Sequence, residues 1–233
     1  MTKTAIAKND FMLEGNISLE VCDKIIRLFE ETPFLSDEER EKNFSTLPLL
    51  KNKGITGSGY NPEIKKSTDV SVSPNLWTAP SAFNEMFYPY AEIMTQYHLE
   101  LSKWMRRYSD ELWVNELSTI DTLISSRQEW QVRENISIQK YMPGEGFKQW
   151  HYETGCVSKQ VAGRQLVFMT YLNDVPDGGT HFYHQKKLVK AVKGKTLIWP
   201  AAHTHTHKGQ ISKKHIKYII TGWIHGDIGQ MDG

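Results

Sequence analysis

Two stretches carry residue types that bind metal ions. "WHYE" (150–153) sets His151 and Glu153 two positions apart, and "HTHTHKG" (203–209) crowds His203, His205 and His207 into five positions. On a strand, residues i and i+2 share a face, so one imidazole and one carboxylate can reach the same ion. A third ligand from a distant strand would complete a two-His, one-carboxylate triad. That triad leaves coordination positions open and is the usual site of non-haem Fe(II) oxygenases. The third ligand should come from "HTHTHKG". Strand parity does not choose among its histidines, because all three share a face if the strand is regular. A lone H-x-E is frequent by chance, and clustered histidines at a strand end can be a surface feature. Order and spacing along the whole chain must therefore decide.

The elements that would position these residues change character along the chain. "NISLEVCDKIIRLFEET" reads as a helix capped by Asn16 or Ser18, with an apolar stripe of Leu19, Cys22, Ile25, Ile26 and Phe29. A second helix is expected from Pro89 to about Tyr108. Residues 33–80 are broken by Pro, Gly, Ser and Asn and read as loops with one or two short strands. Their polar, Gly-rich part is a candidate substrate lid. After about Gln131 the period becomes two. "ISIQKYM", "FKQWHYE", "RQLVFMTYL", "THFYH", "KLVKAV", "KTLIW" and "IKYIITGWI" are short, β-branched and aromatic, and separated by turn signals. The expectation is an α+β fold with a double-stranded β-helix (jelly roll) core and supporting N-terminal helices. Residues 1–130 would pack as helices and loops on a catalytic core at 131–226, forming one compact domain with a tail at 227–233. Gly178 and Gly179 would serve a tight turn.

Composition narrows the function classes. The 233 residues are 39% hydrophobic and 24% charged, with a net charge of +1. This gives no basic signature for nucleic acid and no apolar run for a membrane span. Two cysteines without a C-x-x-C pattern suggest a reducing, cytoplasmic setting.

The remaining motifs fall in a set order. Tyr141 stands ten residues before His151. "TYLN" (170–173), "GGTHF" (178–182) and "VKGKTLIWP" (192–200) follow, and then His207, Gly209 and Lys217. Together these resemble the 2-oxoglutarate/Fe(II)-dependent oxygenases of the prolyl 4-hydroxylase type, over roughly residues 131–225. That family closes with His-x-Gly and a Lys or Arg ten residues after the His. Lys217 lies ten residues after His207, twelve after His205 and fourteen after His203, and only His207 has Gly two positions on. The resemblance therefore implies His151, Glu153 and His207 as the catalytic metal ligands. It implies Lys217 as the cation for 2-oxoglutarate, with Tyr141, Tyr171 and Thr221 as further contacts. Lys217, Ile219, Thr221 and Trp223 share one strand face, expected to be the interior. Arg164 opens the strand of Tyr171 and is a weaker candidate for ligand or substrate binding. The implied cofactors are Fe(II) and 2-oxoglutarate, with O2 as co-substrate and ascorbate as an option. The implied activity is hydroxylation of an unactivated C–H bond, peptidyl proline or a related group, with release of succinate and CO2. The substrate would be a peptide, a protein or a small molecule rather than nucleic acid. Glu153 departs from the family's usual Asp and needs a slightly recessed backbone. The competing readings are a non-catalytic jelly-roll sensor that keeps the metal pocket and a cupin-like enzyme without 2-oxoglutarate.

Overall fold

The structure, a computed structural model, describes residues 10–34, 51–56, 59–78, 88–112 and 130–225. Twelve strands are assigned among them: β1 (Leu13–Asn16), β2 (Lys51–Lys53), β3 (Lys65–Lys66), β4 (Thr68–Val72), β5 (Ile136–Tyr141), β6 (Gly146–Phe147), β7 (Arg164–Tyr171), β8 (Val175–Phe182), β9 (Lys187–Ala191), β10 (Lys195–Pro200), β11 (His207–Gly209) and β12 (Lys217–His225). The helices are α1 (Leu19–Glu31), α2 (Asn75–Thr78), α3 (Tyr88–Leu112) and α4 (Lys159–Ala162).

A seven-stranded antiparallel sheet runs β1-β10-β7-β12-β5-β4-β2, and a three-stranded sheet runs β11-β8-β9. The two sheets make the expected jelly-roll core. Alternation along each strand divides the side chains between two apolar layers. Leu166, Phe168, Ile198, Ile220 and Ile224 face outward and pack against the helices. Val167, Met169, Tyr171, Leu197, Trp199 and Ile219 face inward and meet Val175, Phe182 and Val189 of the smaller sheet.

The helices cover the outer face because their apolar residues recur at helical spacing. In α1 the Ser18 hydroxyl accepts the Val21 N–H, and Val21, Cys22, Ile25, Leu28 and Phe29 are buried. Helix α3 begins one residue before Pro89 and continues past Tyr108, burying Met94, Tyr97, Leu101, Met105 and Tyr108. Each such side chain contributes about 1.5–3 kcal/mol when fully buried. Among the described residues, no helix is long and apolar enough to cross a membrane.

The sheet also recruits strands from before residue 131. β1 pairs with β10, and β4 pairs with β5. Sheet pairing thus crosses the boundary drawn near 131. The 33–80 stretch is more regular than loops: where described, it supplies β2, β3, β4 and the short α2. β3 pairs with β6 just ahead of His151, so the candidate lid is anchored to the core on that side. The proposed tail at 227–233 lies outside the described residues.

Gly178 and Gly179 sit inside β8, where the pairing register to β9 shifts, and not in a tight turn. A Cβ on Gly179 would stand 2.3 Å from the Val189 carbonyl oxygen, and one on Gly178 would stand 2.4 Å from Val175 Cγ1. Close approach of neighbouring chain therefore calls for glycine here.

Candidate active site

"HTHTHKG" is not one regular strand. His203–His205 form a 3-10 turn, and strand β11 begins at His207. The shared parity expected of the three histidines is thereby broken. His203 is exposed beside Tyr152, with ring centroids 6.4 Å apart. His205 is buried, and its Nε2 lies 2.7 Å from the Asp10 carbonyl oxygen. His207 alone turns into the space between the sheets.

"FKQWHYE" likewise forms no continuous strand: Phe147 ends the two-residue β6, and His151 makes a single bridge. His151 and Glu153 still converge, because flanking backbone bonds replace the ladder. His151 pairs with His207 in both directions, and the Glu153 N–H donates to the Ala201 carbonyl at 2.9 Å.

The result is a three-residue cluster. Ligand atoms of His151, Glu153 and His207 all lie within 4.8 Å of one another. Glu153 Oε1 is 3.3 Å from His151 Nε2 and 3.7 Å from His207 Nε2. The other nitrogens are committed elsewhere. His151 Nδ1 lies 3.0 Å from the Gln149 carbonyl oxygen, and His207 Nδ1 lies 2.9 Å from that of His205. An Nδ1–H donated to a carbonyl leaves the Nε2 lone pair free for a cation. Burial lowers the His207 pKa to about 4, as does the charge of His151, so the ring is neutral at physiological pH. Burial would raise Glu153, but the hydrogen bond and charge of His151, the charge of His207 and the Trp223 N–H outweigh it. They hold the carboxyl at about 2. Two imidazoles and a carboxylate form a donor set suited to Fe(II).

The cluster opens into a cavity of about 780 Å³ whose wall includes Tyr141, Tyr171, Lys217, Ile219, Thr221 and Trp223. Lys217 is buried, and its Nζ donates to the carbonyls of Gly178 (3.1 Å) and Gln210 (3.2 Å). Among the described residues no carboxylate stands within ion-pair distance, and burial drags its pKa down to about 8 against a weak pull from Asp177. Strand β12 lies between β5 and β7. Lys217 is thereby registered against Tyr141, and Ile219 against Tyr171. Lys217 Nζ is 5.0 Å from the Tyr141 ring centroid. The Tyr141 hydroxyl donates to Gln139 Oε1, the Tyr171 hydroxyl to Thr180 Oγ1 at 2.7 Å, and the Thr221 hydroxyl to the Phe168 carbonyl at 2.8 Å. Thr221 is thus engaged with backbone on its donor side.

Residues 136–225 match the family described as the 2OG-Fe(II) oxygenase superfamily. The barrel is a 2OG-Fe(II) oxygenase domain. The protein is accordingly a 2-oxoglutarate-dependent dioxygenase, with Fe(II) and 2-oxoglutarate as its cofactors. In fold it is like the prolyl 4-hydroxylases. The viral collagen prolyl hydroxylase of Paramecium bursaria Chlorella virus-1, solved with 2-oxoglutarate, is 15% identical with a TM-score of 0.54, over 94% of this chain and 98% of that one. A Pseudomonas putida prolyl-4-hydroxylase is 12% identical with a TM-score of 0.53, over 94% and 95%. A Trichoplax adhaerens prolyl hydroxylase, solved with a peptide fragment of the hypoxia inducible factor oxygen degradation domain, is 13% identical with a TM-score of 0.57, over 94% and 86%. No curated protein sequence matches the chain.

The candidate site includes residues that sequence reasoning passed over. Trp223 was placed on the inward face of β12 but given no task. Its indole N–H donates to Glu153 Oε2 at 3.0 Å. Phe147 stacks on the His151 ring, with centroids 3.6 Å apart. The inward parity shared with Lys217 was the available signal for Trp223. Nothing in the spacing marks Phe147.

Proposed function

We propose that His151, Glu153 and His207 hold Fe(II), that Lys217 binds the distal carboxylate of 2-oxoglutarate, and that the enzyme hydroxylates a peptide, with a prolyl residue as the foremost target. The observation that carries this reading is Lys217: a buried ammonium without a carboxylate partner among the described residues, in the same cavity as the His-Glu-His cluster. An unpaired buried charge is costly, and an anionic ligand offsets that cost. One carboxylate and one ammonium also bring a divalent cation and a dianionic co-substrate to electrical neutrality.

When bound, Fe(II) and 2-oxoglutarate supply the oxidising power to insert one atom of O2 into a C–H bond, while 2-oxoglutarate becomes succinate and CO2. The protein's part is placement. Glu153 stays anionic and His207 neutral, so both keep lone pairs for a cation. Burial raises the Tyr141 pKa far above its usual range, so that side chain remains a neutral phenol beside Lys217. Val167, Met169 and Ile219 line the cavity with apolar surface that excludes water.

Peptide binding is supported by the cavity rim, where Tyr152 and Val157 are exposed, and by the Trichoplax relative solved with a peptide. Free Cys22 and Cys156 suit a reducing compartment, which we take to be the cytoplasm. The test is incubation with Fe(II), 2-oxoglutarate and proline-containing peptides. The expected result is succinate release matched by a gain of one oxygen atom in the peptide. Binding of 2-oxoglutarate with no succinate under any substrate would overturn catalysis in favour of a sensor.

A further inference from the structure

The two oxygens of Glu153 have different surroundings. Oε1 faces His151 and His207, whereas Oε2 accepts the Trp223 indole N–H at 3.0 Å. Trp223 is itself braced. The Arg164 guanidinium lies over its ring, 3.5 Å from the centroid. Arg164 also donates Nη1–H to the Glu153 main-chain carbonyl at 3.2 Å and Nε–H to Glu134 at 2.7 Å. Glu134 in turn stands 2.8 Å from His225 Nε2. Arg164 thus grips the backbone of the carboxylate residue and the ring that holds its side chain. The brace is built into the sheet, because Arg164 and His225 are register partners on β7 and β12.

We infer that Trp223, braced by Arg164, is a positioning residue that restricts Glu153 to a single metal–oxygen contact. This rests on the ligand set proposed above. A two-His, one-carboxylate triad leaves three of six octahedral positions open. A 2-oxoglutarate chelate needs two of these and O2 the third. Glutamate has one more methylene than the family's usual aspartate, and with that freedom it can lay both oxygens on a cation. Doing so would take a position the reaction needs. A hydrogen bond that draws Oε2 towards the indole opposes it, and an arginine anchored to Glu134 keeps the donor from moving away. A purely structural ion-pair network of Arg164, Glu134 and His225 would leave the aim of the Trp223 N–H unexplained.

Co(II) in place of iron gives a visible spectrum that reports how many ligand atoms surround it. Full-length apoprotein is titrated with Co(II), and 2-oxoglutarate is then titrated into the Co(II) form. Trp223→Phe keeps a ring beneath Arg164 and removes the N–H. Its Co(II) spectrum is expected to differ from wild type, and its 2-oxoglutarate affinity to fall by about ten- to a hundredfold. Trp223→His restores a ring N–H and is expected to recover the wild-type spectrum. A Phe variant with wild-type spectrum and affinity overturns the inference. So do Phe and His variants that are equally altered, because packing alone would then account for both. His207→Ala in the same titration separates this from the ligand reading. If His207→Ala gives the wild-type Co(II) spectrum, the ligand set itself is wrong. If it gives none while Trp223→Phe is unchanged, only the positioning role falls.

Discussion

His151 and His207 are backbone partners. Each amide N–H donates to the other's carbonyl, at 3.0 and 2.9 Å, and their rings stand 4.3 Å apart. Two groups far apart in sequence are therefore set side by side by main-chain bonds alone. Main-chain bonds that fix the separation of the two rings reduce what binding an ion must spend on ordering its ligands.

The neighbouring histidines separate ligand from scaffold. His207→Ala removes a free Nε2 and is expected to abolish metal-induced stabilisation. His205→Ala loses the bond to the Asp10 carbonyl but keeps the backbone carbonyl that faces His207 Nδ1. It should cost on the order of 1 kcal/mol of stability and leave metal affinity intact. Thermal unfolding with and without metal distinguishes the two.

In its proposed role, Lys217 trades stability for ligand binding. Its folded pKa is about 8 against an ordinary 10.5. A lysine depressed on folding destabilises the fold fully below the folded value, and the penalty fades as pH rises from about 8 towards 10.5. The gap corresponds to about 3 kcal/mol at neutral pH. Lys217→Met is expected to stabilise the apoprotein by up to about that amount. The same variant should lose the rise in Tm that 2-oxoglutarate confers. Denaturant unfolding of both forms checks it.

The same group sets a pH dependence for the co-substrate. Below about pH 8 Lys217 is already charged, and the KM for 2-oxoglutarate should be flat. Above it, binding must take up a proton, and the KM should climb towards about tenfold per pH unit. Lys217→Arg keeps its charge throughout and should flatten the alkaline limb. Initial rates at saturating peptide across neutral to alkaline pH test this.

Phe147 ties the N-terminal segment to the His151–Glu153–His207 cluster. It lies 3.6 Å from the His151 ring centroid with the planes 16° apart, and its backbone pairs with Lys65. Phe147→Ala is expected to cost about 0.5–1.5 kcal/mol of stacking beyond lost burial and to weaken metal binding. Calorimetric titration with metal measures the second effect.

Strand alternation made much of this legible. Period two along "KYIITGW" places Lys217, Ile219, Thr221 and Trp223 on one face, and all four line the cavity. Helical spacing located α1 and α3. What escaped were features that depend on a distant partner. β1, β2 and β4 are short and carry polar residues, and they become strands because β10 offers an edge to β1, β5 to β4 and β4 in turn to β2. The 3-10 turn at His203–His205 arises between strands β10 and β11 and overrides the alternation of "HTHTHKG". The conformation around Glu153 depends on Ala201, nearly fifty residues on, which no local pattern reports.

The central claim is that His151, Glu153 and His207 share one iron with 2-oxoglutarate in this cavity. Its most direct test is anaerobic addition of Fe(II) and then 2-oxoglutarate, watched for the weak visible charge-transfer band that chelation produces. The account expects the band in wild type, its loss in His207→Ala, and its retention in His203→Ala and His205→Ala. A band that survives in His207→Ala but disappears in His205→Ala would contradict it.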